Sequence, residues 1–196
     1  MTIKFRDNHL RTKQDYKQLE LLIMLQYLNG REEITISMVC LGNICRSPMA
    51  AAILYNRKDE ISAPKIIVDS SGTGAWHVGE GPNPHSKQTW EKHGLKYDHT
   101  AKKFSKNDFH SSDLILVMDA SNFANVMALA NDDVAHKVFY LRQFDPELSH
   151  IDRESEEYEK LEVPDPYSLA IGHFEAVYEM IDKAITGLLK ELSKSI

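Results

Sequence analysis

The chain has 196 residues, 42% hydrophobic and 27% charged, with a formal net charge of −6. That length supports one domain with a real core, and the charge excludes a nucleic-acid backbone as partner, so any anionic ligand must be caught by a locally positive pocket. The two cysteines both fall in one loop, which leaves no disulfide framework and no four-ligand zinc site.

Taken in chain order, the first apolar run is Leu21-Leu22-Ile23-Met24-Leu25. Gln26 and Asn29 interrupt it well short of the roughly 20 apolar residues a membrane span needs. The spacing instead predicts an amphipathic helix over 13–28, ended by Asn29-Gly30 and packed on the domain or on a partner. Residues 1–33 read as an N-terminal extension to a domain over 34–196. Residues 34–39 predict the first strand, and 47–54 open a helix with Ser47 as N-cap and Pro48 behind it. A second strand is expected at 65–68, closing in Asp69-Ser70-Ser71-Gly72-Thr73-Gly74. Residues 85–93 read as a helix stopped by Gly94. A buried strand follows at 113–118, then Asp119 and a helix over 121–130. A fourth strand is expected at 138–141, a charged helical or loop insertion at 154–162, and a closing amphipathic helix over 174–192. Its apolar positions are Val177, Met180, Ile181, Ile185 and Leu188. Strands alternating with helices predict a parallel α/β sheet, which binds ligands beyond the carboxyl ends of its strands.

The segment at such an end is Cys40-Leu41-Gly42-Asn43-Ile44-Cys45-Arg46-Ser47. A cysteine and an arginine flank a spacer containing Gly42 and Asn43, residues that tolerate the left-handed backbone an anion-binding nest requires. Thiolate is the nucleophilic form of cysteine, and a helix N-terminus and a nearby cation both favour it. Arg46 supplies a planar fork suited to two phosphate oxygens. The loop therefore fits a phosphoryl group attacked by sulfur. Such a transfer needs a proton donor for the leaving oxygen. Asp165 in Val163-Pro164-Asp165-Pro166-Tyr167 is the first candidate, stiffened by two prolines and followed by a tyrosine that can stack on an aromatic leaving group. Asp145 before Pro146 is the rival. The nine histidines show no HExxH spacing, and neither a metal nor another cofactor is expected.

Residues 39–48 resemble the phosphate loop of low-molecular-weight protein tyrosine phosphatases. Val68-Asp69-Ser70-Ser71-Gly72-Thr73-Gly74-Ala75-Trp76-His77-Val78-Gly79 is similar to that family's second signature, Met118-Asp119-Ala120-Ser121-Asn122 to its third, and Asp165-Pro166-Tyr167 to its acid loop. The resemblance runs from Ile34 to the C-terminus. It implies a three-layer α/β/α fold around a parallel sheet of about four strands, phosphotyrosine protein phosphatase I-like and Rossmann-like. It implies that Cys40 forms a cysteinyl-phosphate, that Arg46 binds the equatorial oxygens, and that Asp165 acts first as acid and then as base. Ser47 would ease departure of the thiolate. Asn43, Ser70 and His99 would hold the loop. Leu41, Gly42, Asn43, Ile44, Cys45 and Ser47 would form the substrate cradle, with Trp76 and Tyr167 as walls of a slot deep enough for phosphotyrosine. Cys45 would trap an oxidised Cys40 as a disulfide. The implied partner is a phosphotyrosine protein, met without nucleic acid or membrane by a cytoplasmic monomer or weak homo-oligomer.

The sequence departs from the family pattern at Ser168, where many members carry a second tyrosine, and in a longer, more charged stretch over 149–162. Related arsenate reductases use further cysteines downstream, and this chain has none after Cys45. Related protein-arginine phosphatases tend to carry Thr where this chain has Ile44. A non-catalytic phosphopeptide-binding module is expected to lack the nucleophile, the arginine or the acid, and all three are present.

Overall fold

The computed structural model describes residues 21, 23 and 25–194. Four strands, β1 (Glu33–Cys40), β2 (Lys65–Gly72), β3 (Leu114–Val117) and β4 (Val138–Tyr140), form one parallel sheet in the order β2-β1-β3-β4. Between them run α1 (Arg46–Arg57), α2 (Pro84–Lys92), α3 (Asp108–Ser111), α4 (Ala120–Met127) and α5 (Asp132–Ala135), and α6 (Ile171–Leu192) closes the described chain. The expected parallel α/β fold is therefore present.

Alternation along the strands sorts the core into two halves, because successive side chains point to opposite faces. Ile34, Ile36, Met38 and Cys40 of β1 share one face with Leu114, Leu116 and Phe139, packed with α1, Trp90 of α2, and Phe174, Val177, Ile181, Ile185 and Leu188 of α6. Val39, Ile115, Val117, Val138 and Tyr140 take the other face, with Phe104, Phe109 and Val126. Both faces are covered at β3 and β4, whose residues are apolar throughout. Small residues Ala50, Ala51 and Ala52 let α1 lie close on the sheet.

Several boundaries differ from expectation for local reasons. α1 begins at Arg46 with Cys45 at its N-cap position. Ser47 is not the cap: its hydroxyl is turned into the loop, as described below, and the first-turn N–H groups are left to the loop. β2 continues past 68 to Gly72, pairing Cys40 with Gly72 at the end of the ladder. The charged stretch over 154–162 contains a single 3-10 turn, Tyr158–Leu161. α2 is capped as a sequence with Asn before Pro suggests, Asn83 Oδ1 accepting from the His85 N–H at 2.9 Å. Gly94 ends it with φ 78°.

Most of the helix expected over 13–28 lies outside the described residues. Of what is described, Leu21, Leu25 and Leu28 are buried in the same cluster as β1 and α6. The Tyr27 hydroxyl donates to the Asp113 carbonyl at 2.9 Å. Asp113 in turn takes Arg31 Nη1 at 2.7 Å on one carboxylate oxygen and the Thr35 N–H at 2.9 Å on the other. Gly30, φ 75°, turns the chain into β1. Among the described residues, no helix is long and apolar enough to cross a membrane.

Candidate active site

The carboxyl end of β1 runs into a loop that returns as α1, and the loop is pinned from below. Asn43 adopts φ 55°, the left-handed region that an asparagine tolerates better than most residues. Its side chain is buried, and Nδ2 donates to Ser47 Oγ at 2.9 Å and to Ser70 Oγ at 3.0 Å. Its Oδ1 accepts the Lys102 N–H at 2.9 Å. His99 Nε2 lies 2.7 Å from the Asn43 carbonyl and donates to it. Burial pulls the His99 imidazole below its ordinary range, against the hydrogen bond to Asn43. From the side, the N–H groups of Thr73 and Gly74 donate to the Cys40 and Leu41 carbonyls at 2.9 and 2.8 Å. Gly72 packs directly on the loop, and a Cβ there would stand 2.8 Å from the Leu41 carbonyl oxygen and 2.9 Å from the Asn43 nitrogen. Ser86 Oγ and the Asn83 N–H hold the Cys45 and Ile44 carbonyls, each at 2.8 Å. With the carbonyls drawn outward and down, the loop's N–H groups are free to turn inward.

Cys40 Sγ has two hydrogen-bond neighbours. The Asn43 N–H points at it from 3.3 Å, and Ser47 Oγ lies 3.0 Å away. Ser47 Oγ is also 3.3 Å from the Ser71 carbonyl, so the hydroxyl is fixed on several sides. Arg46 is buried and gripped by two carboxylates. Nη1 meets Asp119 Oδ2 at 2.5 Å and the Val163 carbonyl at 3.1 Å, while Nη2 meets Asp165 Oδ2 at 2.7 Å. Its Nε is buried without a hydrogen-bond partner. Burial works against the charge on Arg46, but Cys40, Asp165 and Asp119 outweigh it and hold the guanidinium above its ordinary range. Asp119 is placed by α4, which it caps by accepting the Asn122 N–H at 2.7 Å. Asp165 is placed by the Val163 N–H, which joins its loop to the Met118 carbonyl just past β3 at 2.7 Å. Its second oxygen accepts from the Tyr167 N–H at 3.2 Å.

These groups open on a cleft of about 220 Å³ lined by Cys40, Leu41, Gly42, Ile44, Cys45, Arg46, Trp76, His77, Asp165 and Tyr167. The structure thus brings the first strand's loop, the turn after β2 and the loop after β4 together. Asn43 and Ser47 lie beneath the cleft, buried, and Ser70 and His99 hydrogen-bond Asn43 without lining the cleft. Asp145, the rival acid, is buried in a turn where it accepts the Glu147 N–H at 3.0 Å, and it does not line the cleft. Cys45 is a free thiol. Burial first, then Cys40 and Asp165, push it up to about 12. His77 lines the cleft although sequence reasoning gave it no role. Its Nδ1 pairs with Glu80 at 2.8 Å and its ring lies 6.0 Å from that of Tyr167. The only signal for it was its place beside Trp76. Among the described residues no cluster of His, Cys, Asp or Glu could hold a metal ion.

A parallel sheet, a strand-end loop with its N–H groups free to turn inward, and a cysteine and arginine at its two ends define a phosphate-loop protein of the cysteine-phosphatase class. Comparison with known proteins narrows this. Residues 35–196 match the profile of the low molecular weight phosphotyrosine protein phosphatase family, and the chain belongs to that family. A low molecular weight protein-tyrosine-phosphatase of Streptomyces coelicolor is 37% identical over 163 residues, spanning 82% of this chain and 94% of that protein. A protein tyrosine phosphatase structure from Entamoeba histolytica superposes with TM-score 0.71 at 26% identity, over 82% of this chain and 97% of the other. A Drosophila arginine phosphatase structure superposes with TM-score 0.68 at 30% identity, over 79% and 95%.

Proposed function

We propose that the protein hydrolyses phosphotyrosine in proteins through a covalent phosphocysteine. The observation that carries this reading is the placing of Cys40 Sγ against the Asn43 N–H and the Ser47 hydroxyl in a cleft shared with Arg46 and Asp165. In the first step Sγ attacks phosphorus in line with the tyrosyl oxygen. The S–P bond forms, the P–O bond breaks, and Asp165 gives its proton to the departing phenolate. In the second step the Asp165 carboxylate takes a proton from water, which attacks phosphorus. The S–P bond breaks, phosphate leaves, and Ser47 Oγ, 3.0 Å from Sγ, receives the returning thiolate as a hydrogen-bond donor.

Arg46 and Asp165 are paired in the structure, and the cycle requires them to part. A dianionic phosphoryl group is the better partner for the guanidinium. Its arrival draws the Arg46 fork onto the equatorial oxygens and satisfies the buried Nε–H, whose isolation costs about 1–3 kcal/mol. Asp165 is thereby released to meet the leaving oxygen. Leu41, Gly42, Ile44 and Cys45 contribute the cradle, Asn43, Ser70 and His99 its conformation, and Trp76 and Tyr167 the walls beside a phenyl ring. The nucleophile is a thiolate, so we place the protein in a reducing compartment such as the cytoplasm, as a monomer or weak homo-oligomer. The phosphatase domain is taken as residues 34–196 and residues 1–33 as an extension to it. The family match over 35–196 supports that division.

The test is turnover of p-nitrophenyl phosphate and of phosphotyrosine and phosphoarginine peptides, beside Cys40→Ser and Asp165→Asn. Cys40→Ser is expected to abolish turnover. Asp165→Asn should slow a poor leaving group, such as phenol, by about 100-fold or more and a good one, such as p-nitrophenol, far less. An equal loss for both would remove Asp165 from the acid role. Preferential hydrolysis of the phosphoarginine peptide would move the substrate assignment to that linkage.

A further inference from the structure

Nine large hydrophobic side chains are exposed among the described residues, and five of them stand on the three segments that border the cleft. Trp76 is 73% exposed, Val78 55%, Tyr167 53%, Leu169 47% and Leu41 39%. Leu41, Trp76 and Tyr167 line the slot itself. Val78 and Leu169 lie outside it, each two residues beyond a slot wall. Exposed apolar side chains scattered singly are ordinary, whereas a group of them around a cleft marks an interaction surface.

We propose that this apolar rim, and Val78 and Leu169 in particular, binds aliphatic residues flanking the phosphotyrosine of the substrate. The inference rests on the phosphotyrosine-protein reading above. A tyrosyl ring seated in the slot leaves its own main chain at the mouth, and neighbouring residues then fall within about 3.3–7 Å along an extended chain. The two turns that carry Val78 and Leu169 are already folded. The Val78 and Gly79 N–H groups are bonded to the Ala75 and Ala101 carbonyls at 3.4 and 2.8 Å, and the Leu169 N–H to the Pro166 carbonyl at 2.9 Å. The rings of His77 and Tyr167, 6.0 Å apart, bring the turns together across the mouth. Binding there loses little further conformational freedom. Glu80, which holds His77 on the same turn at 2.8 Å, adds negative charge to the rim and disfavours acidic flanks.

The experiment uses the full chain and two phosphotyrosine peptides of equal length. One has Leu and Val on both sides of the phosphotyrosine, the other Ser and Asn. The wild type should prefer the aliphatic peptide by about 5- to 10-fold in kcat/KM, the scale of partly burying one or two such side chains. The double variant Val78→Ser, Leu169→Ser should lose that preference. Its turnover of p-nitrophenyl phosphate, which has no flanking residues, should stay at the wild-type rate and so report an intact fold. Equal hydrolysis of both peptides by the wild type, or a preference that survives in the variant, would overturn the inference while leaving the phosphotyrosine reading intact. Failure to hydrolyse either peptide while p-nitrophenyl phosphate is turned over would remove that reading and this inference with it. Dimerisation abolished by the double variant, without any flank preference, would assign the rim to a second copy of the chain and equally overturn it.

Discussion

Asp119 serves two masters at the residue scale. One oxygen caps α4 through the Asn122 N–H at 2.7 Å and the other holds Arg46 at 2.5 Å. Asparagine can keep the cap but not the charge, and alanine loses both. Asp119→Ala is therefore expected to be about 1 kcal/mol less stable than Asp119→Asn in urea denaturation. Both should lower kcat/KM for p-nitrophenyl phosphate by about 10-fold, as Arg46 loses a partner that fixes its orientation. Cys45 gives a prediction with a pH sign. Its folded value of about 12 stands above the roughly 8.5 of an unfolded thiol. The stability linked to it is thus fully present below about pH 8.5 and is lost as pH rises toward 12. Between pH 8 and 10 the urea midpoint should fall, and Cys45→Ser should fall less; equal slopes would contradict the shift. Most residues of the cleft were legible as a string, because Cys40 through Ser47 are contiguous and proline-flanked Asp165 stands out. His77 was not, since a histidine eight residues from Asp69, the nearest titratable residue of its motif, carries no spacing rule and acquires its position only when β2 is laid beside β1.

Two glycines decide how closely elements approach. Gly72 ends β2 against the loop, and Gly187 lies on α6 with its Cβ position 1.8 Å from the Phe144 carbonyl oxygen in the 3-10 turn Leu141–Phe144. The same substitution at the two sites should separate activity from stability. Gly187→Ala pushes helix from turn and is expected to cost about 1–3 kcal/mol or more, with kcat for the folded fraction unchanged. Gly72→Ala presses on the Leu41 carbonyl and the Asn43 nitrogen and should reduce kcat by about 10-fold or more even where the fold survives. Thermal melts beside steady-state kinetics check both. Strand periodicity and the α6 apolar pattern were readable in the sequence because burial on one or both faces enforces them. The start of α1 was not. Ser47 before Pro48 carries the signature of a cap, and only the loop's competing demand for its hydroxyl, met at Cys40, Asn43 and Ser71, shifts the cap to Cys45.

At the scale of the whole molecule, the segment ahead of β1 is part of the packing. Leu25 is fully buried with Leu28 among residues of β1 and α6. Leu25→Ala should cost about 2–5 kcal/mol, as a core leucine does, measured by chemical denaturation; a cost near zero would make the segment a bystander. The sequence alone showed an apolar run next to a domain and left open what it covers, because a helix face does not name its partner. The contact of Tyr27 and Arg31 with Asp113 settles that for the residues described. Those contacts lie at the amino end of β1, whereas the cleft lies at its carboxyl end. From Thr35, which Asp113 holds, the five further residues of β1 to Cys40 separate the two by about 17 Å at 3.3 Å per residue. Changes at Tyr27, Arg31 or Asp113 therefore bear on how the sheet is closed off at its base, out of reach of whatever enters the mouth.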